Sequence, residues 1–169
     1  GEKCWPTVDK ISPCEDACPI HQDVPSYVMA IARGMFKEAL DVVRDVNPFP
    51  SICGRVCHHP CEEACNRTLV DTPVAIQYLK RFAAEYEMNG KEALPARAKR
   101  TRRKKVAIIG SGPTGLTAAY DLVRAGYGVS VYEAQPVAGG VLATAIPEFI
   151  LPQEVVQREI DYIRALGVD

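Results

Sequence analysis

The chain has 169 residues, of which 47% are hydrophobic and 24% charged, with a formal net charge of −1. This balance excludes disordered and collagen-like classes and fits a soluble globular protein with room for a real core or for two small ones. No apolar run approaches the roughly 20 residues of a membrane-spanning helix. No secretory signal precedes the first cysteine, so the cytoplasm is the expected compartment. The chain opens at Gly1 without Met and stops at Asp169 just after an apparent helix in an unfinished α/β unit, as expected of a piece of a longer polypeptide.

In chain order, residues 24–47 predict two short helices, Val24 to Gly34 and Met35 to Val46. Tyr27, Val28 and Ile31 in the first, and Phe36, Ala39, Leu40 and Val43 in the second, stand at helical spacing. Gly34 is the break between them, and Asn47-Pro48 stops the second. Pro73 suits the first turn of a third helix, which carries Val74, Ile76, Leu79, Phe82, Ala83 and Tyr86 to a stop at Asn89-Gly90. Residues 1–90 hold 9 Lys and Arg against 13 Asp and Glu, whereas residues 91–169 hold 11 against 8. Most of that excess is the run Arg97, Lys99, Arg100, Arg102, Arg103, Lys104 and Lys105. It lacks interleaved aromatics and follows Leu94-Pro95, so it is expected to be a solvated linker at a domain boundary rather than a nucleic-acid surface. Beyond it, Val106 to Ile109 predicts a short buried strand, Thr114 to Ala125 a helix, and Val129 to Tyr132 a second strand. That is the start of a βαβ unit with a parallel sheet. Residues 152–166 predict a further amphipathic helix ending at Gly167.

All seven cysteines lie within the first 65 residues, and Cys53, Cys57, Cys61 and Cys65 form a ladder at a spacing of four. Thiolates one helical turn apart project to one side, so Cys57, Cys61 and Cys65 can converge on a metal centre, although Pro60 limits how regular that helix can be. Cys14 and Cys18-Pro19 supply a second pair. Disulfides are disfavoured by the odd count and the lack of an export signal. Structural zinc sites prefer two-residue gaps between paired cysteines, not three. Iron–sulfur clusters take three or four thiolates and commonly end a ligand run with Cys-Pro, so the cluster reading prevails. His58 and His59 are expected to be exposed loop histidines.

The second half opens on Gly110-Ser111-Gly112-Pro113-Thr114-Gly115, after a predicted strand and before a predicted helix. In that context Gly110 permits a tight turn, Gly112 lets backbone N–H groups approach a pyrophosphate, and Gly115 lets helix pack on strand. Glu133 closes the second strand, where an acid can bind a ribose hydroxyl. Ala134 follows it, and the Gly139-Gly140 turn beyond favours FAD over NAD, because flavoproteins often place such a turn beside the cofactor.

With these motifs in order, the chain resembles the N-terminal part of the glutamate synthase small (β) subunit family. The relatives of that family include the flavin subunit of ferredoxin-dependent NADP transhydrogenases and the N-terminal region of dihydropyrimidine dehydrogenase. The matching stretches are Cys14-x3-Cys18-Pro, Asn47-Pro-Phe-Pro50, Cys53-Gly-Arg-Val-Cys57, Cys61-Glu-Glu-Ala-Cys65, Pro73-Val-Ala-Ile76, Val106 to Pro113 and Ile146-Pro-Glu-Phe149. The resemblance implies a multidomain α plus α/β architecture. An α-helical ferredoxin-like domain with two [4Fe–4S] clusters (residues 1–94) and the basic linker (95–105) would precede the start of a Rossmann-like FAD-binding domain (106–169). It also implies NAD(P)H oxidation at a region absent from this chain, with electrons passing through FAD and the clusters to a partner redox subunit. That partner would be glutamate synthase large-subunit-like or another oxidoreductase, in a hetero-oligomer.

The family pattern gives one cluster Cys18, Cys57 and Cys61 and the other Cys14 and Cys65. The chain departs from it at Pro6 and Asp9, where cysteines are usual, at Lys80, where Gln or Glu ligates in relatives, at Thr144-Ala145, and at Ile150 in place of a common Arg. Cys53 is then expected either to take over from Lys80 or to be a buried thiol packed as a small hydrophobe, and Cys4, alone or with Asp9, to complete the other site. Two further readings differ in class. One is a non-catalytic adaptor docking a flavoprotein on a larger complex, with structural clusters; the other is a zinc-dependent nucleic-acid binder using the basic run.

Overall fold

The computed structural model describes residues 11–90 and 94–169. The N-terminal half is helices and loops: α1 (Pro13–Asp16), α2 (Val24–Ala32), α3 (Phe36–Val46), α4 (Pro50–Val56), α5 (Pro60–Glu63) and α6 (Ile76–Asn89). The second half contains β1 (Lys105–Ile109), α7 (Pro113–Arg124), β2 (Gly128–Tyr132), α8 (Val141–Thr144) and α9 (Gln153–Ala165). Strands β1 and β2 pair in parallel with Val106 opposite Val129, and Val168 bridges Val129 on the far side. This is a helical module followed by the beginning of a Rossmann-like unit. Among the described residues, no helix is long and apolar enough to cross a membrane.

Local chemistry explains most boundaries. Ser12 caps α1, and the Asp23 carboxylate accepts the Ser26 N–H at 3.0 Å to start α2. Gly34, at φ +76°, turns the chain from α2 into α3. Helix α6 begins at Ile76, three residues beyond the turn expected at Pro73, because a side chain from elsewhere caps it. Glu62 Oε1 accepts the Gln77 N–H at 2.8 Å, and Pro73 stays exposed before it. The cysteine ladder is likewise not one helix. Cys53 lies inside α4, Cys57 ends it in extended conformation, and His59, at φ +46°, redirects the chain into α5. Strand β1 is half exposed rather than buried: Val106 and Ile108 face the helices, while Ala107 and Ile109 face outward, Ile109 at 85% exposure. Helices α7 and α9 cover one sheet face, so the strand alternates.

Two apolar clusters form. One gathers Val24, Tyr27, Leu40, Val43 and Ile76 within the helical module. The other crosses between the halves, bringing Phe49, just before α4, and Ile52 within it against Leu116, Tyr120, Val155 and Ile160 of α7 and α9. Gly54 makes the approach of α4 to α6 possible, since a Cβ there would stand 2.8 Å from the Arg81 Cα. The basic run keeps its side chains in solvent, but its backbone is held. Ala98 donates to the Leu166 carbonyl at 2.8 Å, and Thr101 and Arg102 both donate to that of Gly126.

A buried ionic hub joins the halves. Arg44 of α3, 7% exposed, makes a bidentate pair with Glu87 of α6 at 2.8 Å and an ion pair with Glu159 of α9 at 3.6 Å. Its guanidinium stacks 3.5 Å from the Tyr162 ring centroid. Glu159 Oε1 accepts the Ser51 N–H at 2.8 Å, while its Oε2 has no hydrogen bond. Burial pushes the Glu159 carboxyl up, and Arg44 and Ser51 oppose that push. Removing the cation strands two carboxylates, so Arg44→Met should cost about 3–5 kcal/mol. Glu159→Gln keeps an acceptor for Ser51 and sheds a buried charge, so it should cost far less. Urea midpoints of the two variants at neutral pH check this asymmetry.

Candidate cluster and dinucleotide sites

The thiol site is assembled by α1, the α4–α5 corner and α6. Cys14 lies in α1 with its sulfur 3.2 Å from Ser12 Oγ; Cys18 follows that helix, and both are half-buried. Cys61 and Cys65, both buried, lie in and just after α5, which packs on α1. Cys57 is half-buried at the end of α4, where its sulfur accepts the His59 N–H at 3.3 Å and its carbonyl accepts Gln77 Nε2 at 2.8 Å. Cys4, Pro6 and Asp9 lie outside the described residues.

Electrostatic coupling shows which thiols share an environment. Burial pushes the Cys61 thiol up to about 11; the Lys80 ammonium acts against it, and Cys18 and Cys57 add to it. The buried hydroxyl of Tyr27 is raised by burial first, then by Cys61, Cys14 and Cys18. Cys18 and Cys57 thus lie close enough to Cys61 for their charges to be felt there, and Cys61, Cys14 and Cys18 are all felt at Tyr27. Cys53 stands to one side. Burial raises its thiol, which donates to Asn47 Oδ1 at 3.7 Å and packs against the apolar cluster shared with α7 and α9. His58 is exposed, and the half-buried His59 is occupied with the Cys57 carbonyl, 3.1 Å from its Nδ1.

This donor set fits a cluster. Among the described residues the cysteines are free thiols, and no three His, Cys, Asp or Glu side chains converge closely enough to hold a single ion. A cubane spaces its thiolates more widely, because each binds its own iron. The thiols must lose their protons to bind, and Lys80 favours that loss at Cys61 and Cys53.

The second site is built on the turn between β1 and α7. Gly110 adopts φ +95°, and its N–H bonds the Tyr132 carbonyl at 2.7 Å, closing the strand ends together. A Cβ at Gly115 would stand 2.1 Å from the Gly110 carbonyl oxygen, which is the close helix-to-strand approach expected of that glycine. At Gly112 a Cβ would meet nothing within 4 Å, and this residue starts α7 with no side-chain cap. Pro113 supplies the first turn, and Thr114 lies exposed beside it. The N–H groups of that turn are thus left for an anion.

Glu133 accepts the Ser111 N–H at 2.8 Å, the Ser111 hydroxyl at 2.6 Å and the Gln135 N–H at 2.8 Å, with the Ala134 backbone adding to these. The Ser111 hydroxyl and the other bonds hold the carboxyl down at about 2. Gly139, at φ +113°, donates to the Ser111 carbonyl at 3.1 Å, and a Cβ on Gly140 would stand 2.9 Å from the Gly112 Cα. The two glycine turns and the acid therefore meet around Ser111, the residue that couples them. This cradle fits a dinucleotide diphosphate and ribose. The sequence did not single out Gln77 or the His59 N–H, because their contacts with Cys57 depend on how the α4–α5 corner folds.

Gly115→Ala should destabilise the protein by about 1–3 kcal/mol through the clash with Gly110, whereas Gly112→Ala should leave thermal unfolding unchanged. In a carboxyl NMR titration Glu133 should titrate near 2 and move upward in Ser111→Ala. Its protonated, weakened form is thus confined to pH below that value.

A family model for dihydropyrimidine dehydrogenase domain II, 4Fe-4S cluster, matches residues 2–92. One for an NAD(P)-binding Rossmann-like domain matches residues 108–167. The chain is 48% identical over 165 residues to the NADPH-Fe(3+) oxidoreductase subunit beta of Geobacter sulfurreducens, covering 96% of this chain and 25% of that protein. It is 43% identical over 178 residues to the NADP(+)-dependent formate dehydrogenase subunit beta of Moorella thermoacetica, covering 93% and 25%. It is 39% identical over 160 residues to the NAD-dependent dihydropyrimidine dehydrogenase subunit PreT of Escherichia coli K12, covering 93% and 38%. The chain thus spans between a quarter and two fifths of the length of these relatives. Its cysteine-bearing helical module and the glycine turn that follows place the chain in the dihydropyrimidine dehydrogenase domain II 4Fe-4S family, joined to an NAD(P)-binding Rossmann-like domain.

Proposed function

We propose that this chain is the iron–sulfur and flavin-binding portion of an NAD(P)H-dependent oxidoreductase subunit that passes electrons between FAD and a partner redox protein. The observation that carries this reading is that Cys61, buried in the helical module, feels the charges of Lys80, Cys18 and Cys57, in a module joined to the glycine-turn unit by a second apolar cluster through Phe49 and Ile52. The bound groups supply two-electron acceptance at the flavin and one-electron transfer at [4Fe–4S] clusters.

The chain's own residues bind and orient. The N–H groups after Gly112 receive the diphosphate, Glu133 accepts from a ribose hydroxyl, and the Gly139-Gly140 turn admits the cofactor closely. FAD is favoured over NAD because that second turn packs directly on the first. Cys18, Cys57 and Cys61 would hold one cluster, while Cys14 and Cys65, with Cys4, would hold the other. Tyr27, Ile76 and the α4–α6 contact shield the first set from water. Cys53 is the candidate fourth thiolate of that set, one turn before Cys57, and it would exchange Asn47 for iron. The domain division is 1–94, 95–105 and 106–169. Nicotinamide oxidation belongs to a segment outside this chain. The partner is a redox subunit of a hetero-oligomer, of glutamate synthase large-subunit type or another kind. Unpaired thiols favour a cytoplasmic setting.

Anaerobic iron and sulfide quantification with EPR of the dithionite-reduced protein tests this. About eight irons per chain are expected for two clusters. Cys57→Ser and Cys61→Ser should each remove about four; zinc without iron would overturn the reading. Cys53→Ser removing about four irons supports its ligand role, and unchanged iron assigns it to the core. Gly112→Ala should fold normally yet lose flavin.

A further inference from the structure

Lys80 projects from α6 into the interior and is 8% exposed. A lysine rarely lies so deep unless something compensates its charge. Among the described residues no carboxylate forms an ion pair with it. Glu62, whose charge is felt at Cys61, is engaged with the Gln77 N–H at 2.8 Å. The next residue, Arg81, turns outward to Glu85 at 2.7 Å. The ammonium stands 5.9 Å from the Tyr27 ring centroid, and the groups that feel its charge are Cys53 and Cys61. The same ring feels Cys61, Cys14 and Cys18.

We infer that Lys80 is the built-in counter-charge of the cluster held by Cys18, Cys57 and Cys61, a positioning residue that sets the reduction potential of that cluster. The inference rests on the proposal that these thiolates bind iron. Reduction adds one electron, supplied by the reduced flavin, and so one negative charge to a site already anionic through its thiolates. A fixed cation beside that site stabilises the reduced form more than the oxidised form and raises the potential. This cluster becomes the electron sink of the pair, and electrons delivered to the module collect there.

The test is an anaerobic redox titration of the holo-protein followed by EPR, comparing the native protein with Lys80→Met and Lys80→Arg. Methionine keeps the length and loses the charge, while arginine keeps the charge. The expected result is a more negative midpoint for one cluster in Lys80→Met, a near-native midpoint in Lys80→Arg, and an unmoved second cluster in both. An unmoved midpoint in Lys80→Met, or equal shifts in both variants, would overturn the inference. If Lys80→Met retains no cluster, retention in Lys80→Arg supports the counter-charge and loss in both refutes it. Iron content of the native protein separates the two levels. Native protein without iron overturns the cluster reading and this inference with it, whereas iron-loaded protein with an insensitive potential overturns this inference alone.

Discussion

The guanidinium of Arg44 is the point through which the two halves hold each other. Its two ion pairs form only if α3, α6 and α9 are all in place, since Glu87 comes from the second and Glu159 from the third. Glu159 in turn receives the Ser51 N–H at the start of α4, the helix that carries Cys53 and ends at Cys57. The α7 side joins as well: the Tyr120 hydroxyl donates to the Arg44 carbonyl, and Arg124 pairs with Asp45 at 3.0 Å. Such a buried pair contributes less to net stability than to uniqueness, because a misdocked half leaves ions without partners. The thiolate corner and the glycine turn are therefore oriented by one polar centre and covered by one apolar cluster.

Much of this was legible in the sequence, for reasons that differ by element. The βαβ start was readable because its signals are local: a strand, a glycine turn and an amphipathic helix in sequence, with Glu133 at the second strand's end. The α2–α3 pair was readable because Gly34 marks its corner. Helix α6 starts later than Pro73 suggested because its cap, Glu62, is fourteen residues upstream of the helix start and makes its bond only after folding. The cysteine ladder looked like a helical stripe, yet the left-handed residue at His59 breaks it, and no composition rule demands that conformation of a histidine. The exposed face of β1 was hidden because Val-Ala-Ile-Ile carries no polar residue to reveal alternation. Lys80 was recognised as a departure from a ligand pattern, but its burial depends on α4 lying against α6, which periodicity does not encode.

The two candidate sites treat charge oppositely. At the thiol site, burial favours protonated, neutral sulfur, so the interior is ready for anions only once iron displaces the protons and a cation stands by. At the glycine turn, Glu133 is held ionised by three donors, two of them from Ser111, before any ligand arrives. In the proposed reading, one half of the chain has its charge created by a prosthetic group, and the other presents a fixed anion.

Gly54 draws these strands together. With no side chain at that position, α4 packs directly on α6, so the helix bearing Cys53 and ending at Cys57 lies against the helix bearing Lys80 and leaves no room for closer approach. A change of one electron at sulfur-bound iron would then be met by dipoles and a cation already in position, not by movement of the protein. For the proposed cluster, the corresponding quantity would be a small reorganisation energy. In the proposed electron-carrying role, the close contact that Gly54 permits would keep small the rearrangement that follows each arrival of charge.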